Sequence, residues 1–192
     1  MTTNARTRKE DVVRAAGRLF AERGFHGTSM RDLGTELGLE GSSLYSHIDG
    51  KNELLVEVIT RGAAMFQGLA DAVLATDDSP ERQLRALIVG HVQIVVDHLD
   101  EARTFLNEAR FLPEPEHSSV VEMRRRYQGA FTQVIQEGSR GGIWRQGLDP
   151  QLAAIFVLSV LNALDRWYRP TGRRSPSEIA ADIFDFVTTG LA

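Results

Sequence analysis

The sequence of 192 residues contains no cysteine, which excludes a disulfide framework and any thiolate chemistry. It also lacks a long apolar run. The longest one, from Ala153 to Leu164, is interrupted by Ser159 and Asn162 and is too short to span a bilayer. The first ten residues are polar and basic and lack the apolar core of a signal peptide. We therefore expect a cytoplasmic protein with no membrane partner.

Charge is unevenly distributed along a chain of otherwise ordinary composition, which is 42% hydrophobic and 25% charged. Residues 1–31 hold seven basic and three acidic side chains, a net charge of +4, whereas the whole chain carries −4. A basic end on an acidic body is typical of a protein that meets phosphates at one end. Chance unevenness on a solvated surface would give the same count, so charge alone does not decide between the two.

Apolar side chains recur at helical spacing through almost the whole chain, and no segment favours a strand. We predict an all-α fold of about nine helices. Two of these are short. One follows Ser29, which can form a capping box with Asp32, and ends at Gly38; the other lies between Gly41 and Asp49. The longer helices are predicted at about residues 7–23, 51–74, 80–99, 101–111, 117–139, 149–168 and 175–190.

The short helix between Gly41 and Asp49 is not long enough to be stable alone. Leu44 and Ile48 can anchor it on the two helices before it, which gives a helix-turn-helix arrangement. The second helix of such a pair enters the major groove of DNA. Its outward side chains, which we predict to contact DNA, are Ser42, Ser43, Tyr45, Ser46 and His47. Taken singly, the tyrosine would also suit packing or an ordinary surface position, and the histidine a helix cap or the surface.

Ordered matches in this region resemble the TetR family of bacterial transcriptional regulators. They are LFAERGF at 19–25, GTSMRDL at 27–33, LGL at 37–39, SLYSH at 43–47 and KNELL at 51–55. The chain has Glu40-Gly41-Ser42 where the family often has Ser-Lys-Gly, and Ile48 where an aromatic is usual, so its DNA sequence preference is expected to differ. The resemblance implies DNA contacts at Thr28, Ser43, Tyr45, His47 and Lys51.

The resemblance also implies the domain organisation. An N-terminal three-helix helix-turn-helix domain is expected at residues 1–52, and a larger helical domain for ligand binding and dimerisation at 53–192. A dimer would present two recognition helices to the two halves of a palindromic operator.

The predicted helix at 149–168 is apolar on nearly every side from Ala153 to Leu164. Such a helix is buried on two sides, here against the core and against a partner subunit. The last predicted helix has an apolar face broad enough to join the same contact, and in the TetR family the last two helices pair with their copies. The predicted dimer interface comprises Phe156, Val160, Ile179, Ile183, Phe184 and Val187.

One polar line crosses that apolar helix: Ser159, Asn162, Arg166 and Arg169 share a face, flanked by Trp167. One interpretation is that the arginines satisfy carbonyls at the helix end and reach solvent. The other interpretation is that the line borders a ligand cavity. Asn162 would then form a hydrogen bond to the ligand, and an arginine would bind an anionic group of the ligand.

Residues 162–179 resemble the C-terminal domain of TetR regulators that respond to acyl-CoA thioesters in fatty-acid, phenylacetate and steroid-ring catabolism. This favours the cavity interpretation and implies an acyl-CoA effector. Further candidates lie on helices that line the cavity in that family. These are Phe66, His91, Phe105, Asn107, Arg110, Tyr127 and Phe131.

Other chemistry is not indicated. His91 and His98 could share a helix face, but no third ligand stands at a suitable spacing, so no metal site is predicted. Gly50-Lys51 lacks the residues of a phosphate-binding loop. No catalytic arrangement stands out, and we predict neither an enzymatic role nor a cofactor.

The sequence thus predicts a ligand-responsive repressor that binds operator DNA as a homodimer and is released by a small effector. A multidrug-responsive regulator of an efflux gene is the alternative of the same class, disfavoured by an aromatic content of only 7%. A helical small-molecule carrier or enzyme is the alternative of a different class.

Overall fold

The computed structural model describes residues 2–38 and 48–192, and the side chains of residues 9–38 and 48–192. These ranges contain nine α-helices, one 3₁₀ turn and no strand, so the predicted all-α fold is confirmed. The helices are α1 (Thr2–Arg23), α2 (Met30–Leu37), α3 (Lys51–Leu74), α4 (Pro80–Asp97), α5 (Leu99–Asn107), the 3₁₀ turn η1 (Ala109–Phe111), α6 (Glu116–Arg140), α7 (Pro150–Asn162), α8 (Leu164–Trp167) and α9 (Pro176–Leu191).

The start and end of α2 follow the predicted signals. The Asp32 N–H donates to the Ser29 hydroxyl over 3.2 Å, and the Ser29 N–H donates to the Asp32 carboxylate over 2.7 Å. The Ser29 hydroxyl also donates to the Asp32 carboxylate, and this bond, followed by the one from the Ser29 N–H, holds the pKa of Asp32 below its usual value. At the other end Gly38 adopts a left-handed conformation with φ of 61°, which a residue with a Cβ rarely accepts.

The helices pack into two compact units. The first contains the chain up to residue 63 together with residues 100–121, and the second contains residues 64–99 and 122–192. Packing therefore groups the start of α3 and all of residues 100–121 with the N-terminal helices. The predicted division at residues 52 and 53 is a division by function and stays a prediction.

Polar bonds attach residues 100–121 to α1 and the turn after it. The buried Thr104 hydroxyl donates to the Gly17 carbonyl over 3.3 Å, and the Glu108 carboxylate accepts from the Phe25 N–H over 2.7 Å. The rings of Phe25 and Phe111 stack with centroids 6.0 Å apart. The apolar core of this unit includes Val12, Ala16, Leu19, Phe20, Leu33, Leu54, Leu55, Val58 and Ile59.

In the second unit α4 packs along α9 and also contacts α7 and α8. The buried apolar side chains at its centre include Leu84, Leu87, Ile88, Val92, Val95, Phe131, Val134, Ile135, Ala154, Val157, Leu161, Ile183 and Phe184. At the end of the chain, the Arg145 N–H donates to the Leu191 carbonyl over 3.0 Å and ties the loop before α7 to the end of α9. Among the described residues no helix combines the length and the apolar character needed to cross a bilayer.

The prediction of one continuous helix over 149–168 is wrong. Helix α7 ends at Asn162, the chain turns at Ala163, and α8 continues only from Leu164 to Trp167. Tyr168 is extended, with ψ of 136°, two residues before Pro170. The proline explains why the helix does not continue beyond this point, but no residue type at 162 or 163 marks the break.

A glycine in α6 provides a test of this packing. A Cβ at Gly138 would overlap the ring of buried Trp144, whereas a Cβ at Gly129, on the same helix, meets nothing within 4 Å. Gly138→Ala should therefore lower the free energy of unfolding by about 1–3 kcal/mol. Gly129→Ala should leave it unchanged or raise it by up to about 1 kcal/mol, because alanine favours the helix. Chemical denaturation measures both, and equal stability of the two variants would contradict the packing of Trp144 on α6.

Candidate functional site

The predicted DNA-contacting residues are only partly described by the structure. Ser42, Ser43, Tyr45, Ser46 and His47 lie outside the described residues. Their DNA contacts stay predictions. The other two predicted contacts, Thr28 and Lys51, are described and lie close together.

Thr28 faces inward. Its side chain is buried, with 2% of the residue exposed, and its hydroxyl lies 3.2 Å from the Leu19 carbonyl and 3.0 Å from the Gly24 carbonyl. A hydroxyl has one hydrogen to donate, and here it is shared between carbonyls of α1 and the following turn. A phosphate oxygen needs a donor, so a DNA contact through this hydroxyl would require these bonds to break. The side chain of Thr28 stabilises the turn in this structure, and the DNA contact expected of Thr28 stays a prediction.

Lys51 is the first residue of α3, and its ammonium group joins α3 to the turn after α1. Its Nζ donates to the carbonyls of Phe25 and Thr28, both over 2.9 Å, and lies 4.2 Å from the centroid of the Phe25 ring. An ammonium group has three donors, and these two carbonyls use two. The positive charge sits at a helix N-terminus, where the helix dipole also favours an anion. Lys51 can thus hold the turn and attract a phosphate at the same time.

Glu53 is a residue that the sequence patterns did not single out. Its carboxylate accepts from the Asp49 N–H over 2.6 Å and bonds the Lys9 ammonium at 3.2 Å. The bond to the Asp49 N–H, and to a smaller extent Lys9, hold the pKa of Glu53 below its usual value. The glutamate in the first turn of α3 is the signal that could have identified the helix cap. No sequence signal marks its bond to Lys9, which is far away along the chain.

Four of the predicted effector-binding residues come together in the second unit. The ring centroids of Phe66, His91, Tyr127 and Phe131 lie 4.9 to 5.9 Å from their neighbours. All four side chains are buried. The His91 Nδ1 and the Tyr127 hydroxyl oxygen are 3.2 Å apart. Burial lowers the pKa of His91 to about 3 and raises the pKa of Tyr127, so both are neutral at physiological pH.

Three other predicted effector residues belong to the first unit. Phe105 is buried, whereas Asn107 and Arg110 are exposed. The Asn107 amide donates to the Arg103 carbonyl over 3.0 Å, and the Arg110 guanidinium lies 4.7 Å from the centroid of the Phe111 ring. Their role in effector binding stays a prediction.

The predicted polar line does not lie on one continuous helix: Ser159 and Asn162 are on α7, Arg166 is on α8 and Arg169 follows α8. Ser159 is exposed and donates to the Ile155 carbonyl over 2.7 Å. Asn162 is half-buried at the end of α7. The Arg169 guanidinium donates to the Arg166 and Tyr168 carbonyls, over 3.2 and 2.9 Å. Arg169 thus satisfies carbonyls at the end of α8, and its role in effector binding stays a prediction.

Arg166 and Trp167 are the exposed residues of α8. The Arg166 side chain is 80% exposed and lies 3.8 Å from the buried Asp165 carboxylate, and Trp167 is 51% exposed. What they offer is a cation and a flat apolar ring side by side on the surface of the second unit.

Four of the residues predicted at a dimer interface are buried inside the single chain, and one of them, Val187, also lines the groove described below. Ile179, Ile183, Phe184 and Val187 form the inward face of α9, where the Arg85 guanidinium also lies 3.7 Å from the centroid of the Phe184 ring. Their burial needs no partner subunit. The sequence showed that α9 was apolar on a broad face, but not which part of that face α4 would cover.

Four of the large apolar side chains that stay exposed lie on α7 and α9: Leu152, Ile155, Phe156 and Phe186. Of the predicted interface residues, Phe156 is 62% exposed and Val160 is half-buried, and Phe186, which was not predicted, is 69% exposed. A groove of about 970 Å³ runs between these two helices. Its mostly apolar lining includes Leu152, Phe156, Val160, Phe186, Val187 and Gly190. We call this surface the α7–α9 groove. The described residues hold no group of three side chains suited to a metal ion.

Comparison with known families gives two matches. Residues 12–58 match the family described as "Bacterial regulatory proteins, tetR family", and residues 77–191 match "Tetracyclin repressor-like, C-terminal domain". The second match alone covers more than half of the chain. Both agree with the resemblance seen in the sequence.

Relatives match over nearly the whole length. The chain is 26% identical to the HTH-type transcriptional repressor KstR2 of Mycolicibacterium smegmatis, over 96% of this chain and 91% of that protein. The fold is similar to the structure of the ketosteroid transcriptional regulator KstR2 of Mycobacterium tuberculosis, with a TM-score of 0.91, 23% identity and coverage of 96% and 95%. It is also similar to AibR in complex with isovaleryl coenzyme A and operator DNA, with a TM-score of 0.84, 23% identity and coverage of 93% and 97%.

The position of Lys51 leads to a test of phosphate contact. Lys51→Met keeps an apolar stem beside Phe25 but removes the charge. It should weaken binding to all DNA sequences alike and reduce the slope of log K against log salt by about one unit. Fluorescence anisotropy with operator and random DNA across a salt series measures this.

Lys51→Arg is the matched control, because it keeps the charge and should keep the slope. A thermal melt of each variant separates loss of the bonds to the turn from loss of a phosphate contact. If Lys51→Met kept the slope of the unchanged protein, Lys51 would not contact phosphate.

Proposed function

The chain belongs to the TetR family of bacterial regulatory proteins, and from this premise we propose that it is a ligand-responsive transcriptional repressor. It binds palindromic operator DNA as a homodimer and leaves the operator when an acyl-CoA thioester binds. The match of nearly the whole chain to proteins named as repressors supports this role. Since such a regulator acts on chromosomal DNA, the proposed location is the cytoplasm.

The observation that carries the effector class is the chemistry of α8 and the turn after it. Arg166, Arg169 and Arg173 are exposed here, beside the exposed indole of Trp167. Guanidinium groups bind phosphates through charge-assisted and often bidentate hydrogen bonds, and an exposed aromatic ring can stack on a base. A coenzyme A headgroup carries both phosphates and adenine. AibR, whose structure holds isovaleryl coenzyme A together with operator DNA, supports the same class.

The other half of the effector needs an apolar environment. The buried cluster of Phe66, His91, Tyr127 and Phe131 lies in the same unit as α8 and is the proposed place for the acyl part. Apolar surface buried there contributes about 25 cal/mol per Å². The arginines would then supply selectivity for the thioester over a free acid, because a free acid lacks the phosphates.

The α7–α9 groove is the proposed dimer surface. Leu152, Ile155, Phe156 and Phe186 are each at least 45% exposed in the single chain. A concentration of large apolar side chains on a surface marks a contact site. We assign it to a second copy of the chain, because a two-fold dimer matches the symmetry of a palindromic operator.

Release from DNA requires that the effector favours one arrangement of the dimer over another. A ligand shifts such an equilibrium only by its difference in affinity for the two states. In the proposed mechanism the bound effector favours a dimer whose two recognition helices are out of register with the operator half-sites.

The alternatives are separated by two experiments. A gel shift against DNA flanking the protein's own gene tests DNA binding, and failure there would favour a carrier or an enzyme. Release by cationic dyes but not by any acyl-CoA would favour the multidrug-responsive regulator.

The proposed dimer surface in the α7–α9 groove leads to a prediction about assembly. Phe186→Asp combined with Phe156→Asp places unpaired charges in the α7–α9 groove. Each unpaired buried charge costs roughly 3–5 kcal/mol, so the variant should sediment as a monomer and lose operator binding. Analytical ultracentrifugation and a gel shift measure both.

Val89→Asp is the matched control, since Val89 is also an exposed apolar residue, 44% exposed, but lies on α4 outside the groove. It should remain a dimer with normal operator affinity. A stable dimer of the Phe156 and Phe186 double variant would move the interface elsewhere. Phe184→Asp should instead unfold the chain, because that side chain is buried within it.

The effector prediction concerns Arg166. Arg166→Met deletes the charge and keeps most of the stem volume of a residue that lies on the surface, so fold and DNA binding should remain. A charge-assisted hydrogen bond to phosphate contributes roughly 1.5–3 kcal/mol, so acyl-CoA affinity should fall about tenfold or more. The measurement is operator release by a panel of acyl-CoAs, with free acids and coenzyme A as controls.

Two outcomes of that panel are informative in different ways. If no acyl-CoA releases the unchanged protein, the proposed effector class is wrong. If an acyl-CoA releases the unchanged protein and Arg166→Met equally well, the class stands and Arg166 does not bind the headgroup.

A further inference from the structure

His91 lies in α4 in the interior of the second unit, with 1% of its surface exposed. Its Nδ1 is 3.2 Å from the Tyr127 hydroxyl oxygen, and its ring packs against Phe66, with centroids 4.9 Å apart. The other ring nitrogen, Nε2, is also buried, and no described residue is its hydrogen-bond partner. The imidazole therefore has one bonded nitrogen and one open nitrogen among aromatic rings.

Counting protons determines what the open nitrogen offers. The imidazole is neutral and carries one proton, and the Tyr127 phenol keeps its own, because burial shifts both pKa values away from ionisation. If Tyr127 donates to Nδ1, the pair leaves open the N–H at Nε2 and the weakly accepting phenol oxygen. If Nδ1 donates to Tyr127, the pair leaves open the Nε2 lone pair and the phenolic hydrogen. A phenol is a better donor than an imidazole N–H, and an imidazole nitrogen is a better acceptor than a phenol oxygen, so the first arrangement is favoured.

An open donor at the centre of an apolar cluster needs an explanation, because most buried polar groups in native proteins have a partner. A phenylalanine at position 91 would fill a similar volume without an unpaired donor. A histidine is explained if a ligand uses the donor. The partner must then be an acceptor. The two rings that contact the imidazole, Phe66 and Tyr127, carry no positive charge to offset a buried carboxylate, which favours an uncharged acceptor.

We propose that the Nε2–H of His91 donates a hydrogen bond to an uncharged oxygen, a carbonyl or a hydroxyl, on the acyl part of the effector. Tyr127 is the positioning residue that holds the imidazole in this tautomer. The proposal rests on the proposed function in taking the effector to be an acyl-CoA thioester that enters the second unit. Such an oxygen has two sources, the thioester carbonyl or an oxygen further along the acyl chain.

The first experiment tests the site without coenzyme A. Long-range ¹H–¹⁵N NMR of the full-length protein reads the tautomer of His91, whose signals are assigned by their loss in His91→Gln. The proton should stand on Nε2, and in Tyr127→Phe the two tautomers should mix. Cyclohexanone should shift the Nε2 signal, whereas methylenecyclohexane, which has the same shape without the oxygen, should not. A proton on Nδ1, no shift with the ketone, or equal shifts with both compounds would overturn the proposal.

The second experiment identifies the source of the oxygen. Titration calorimetry compares octanoyl-CoA, its thioether analogue S-octyl-CoA and 3-oxooctanoyl-CoA. Two ligands that differ only in this oxygen differ by one hydrogen bond to His91. The ligand that has the oxygen should therefore bind about tenfold more tightly than the ligand that lacks it. A preference for octanoyl-CoA over S-octyl-CoA identifies the thioester carbonyl, and a further preference for the 3-oxo compound identifies a chain oxygen.

Two variants separate hydrogen bonding from packing. The His91→Phe variant should still bind all three CoA compounds, but with equal affinity. Phe131→Leu alters only the apolar surroundings of His91. It should lower the affinity for all three compounds by a similar factor and keep the differences in affinity between them. Discrimination that survives in His91→Phe would overturn the proposal. If no CoA compound binds but cyclohexanone still shifts Nε2 selectively, the proposed effector class fails while the donor role of His91 stands.

Discussion

The structure depends on burying one apolar face of each helix against another helix. In the described residues there are no strands, so helices are not joined to one another by backbone ladders, and their mutual positions are set by side chains. The dependence on packing against other helices is greatest for α2, which has only eight residues and would not be stable alone. Its Leu33 is completely buried, in a core that it shares with α1. The same constraint accounts for the long contact of α4 with α9 in the second unit.

The turn between α1 and α2 is held by hydrogen bonds from single polar side chains as well as by apolar contacts. Lys51, Thr28 and Glu108 all bond backbone groups of the turn between α1 and α2 or of the adjoining end of α1. These bonds are few, but each satisfies a backbone group that a helix end leaves open. This arrangement makes the turn well defined and gives Lys51 two roles, one structural and one proposed for DNA. A residue that a family comparison assigns to ligand contact can thus also be part of the framework.

The second unit distributes its apolar side chains between the inside and a surface that stays open. Helix α9 turns Phe184 inward and Phe186 outward, although the two are only two residues apart. Helix α7 behaves similarly, with Val157 inside and Phe156 outside. In the interior, the pair of His91 and Tyr127 places two polar groups among aromatic rings. Apolar surface is costly to leave in water, and polar groups are costly to leave unpaired in a core. The exposed apolar side chains lie where we propose the partner subunit, and the buried polar pair lies where we propose the effector.

The sequence by itself determined the all-α class, most helix ends and the family, because these depend on local signals. Apolar spacing, the Ser29–Asp32 capping box and the turn glycines act within a few residues of each other. Only the tertiary structure decided which side of an apolar helix is covered, that Thr28 faces inward and that Glu108 reaches Phe25. These depend on neighbours distant in the chain, so no periodicity in α9 could show that Phe184 is covered and Phe186 is not. The division of the predicted helix at Ala163, between Asn162 and Leu164, is likewise not marked by the residue types and is seen only in the folded chain.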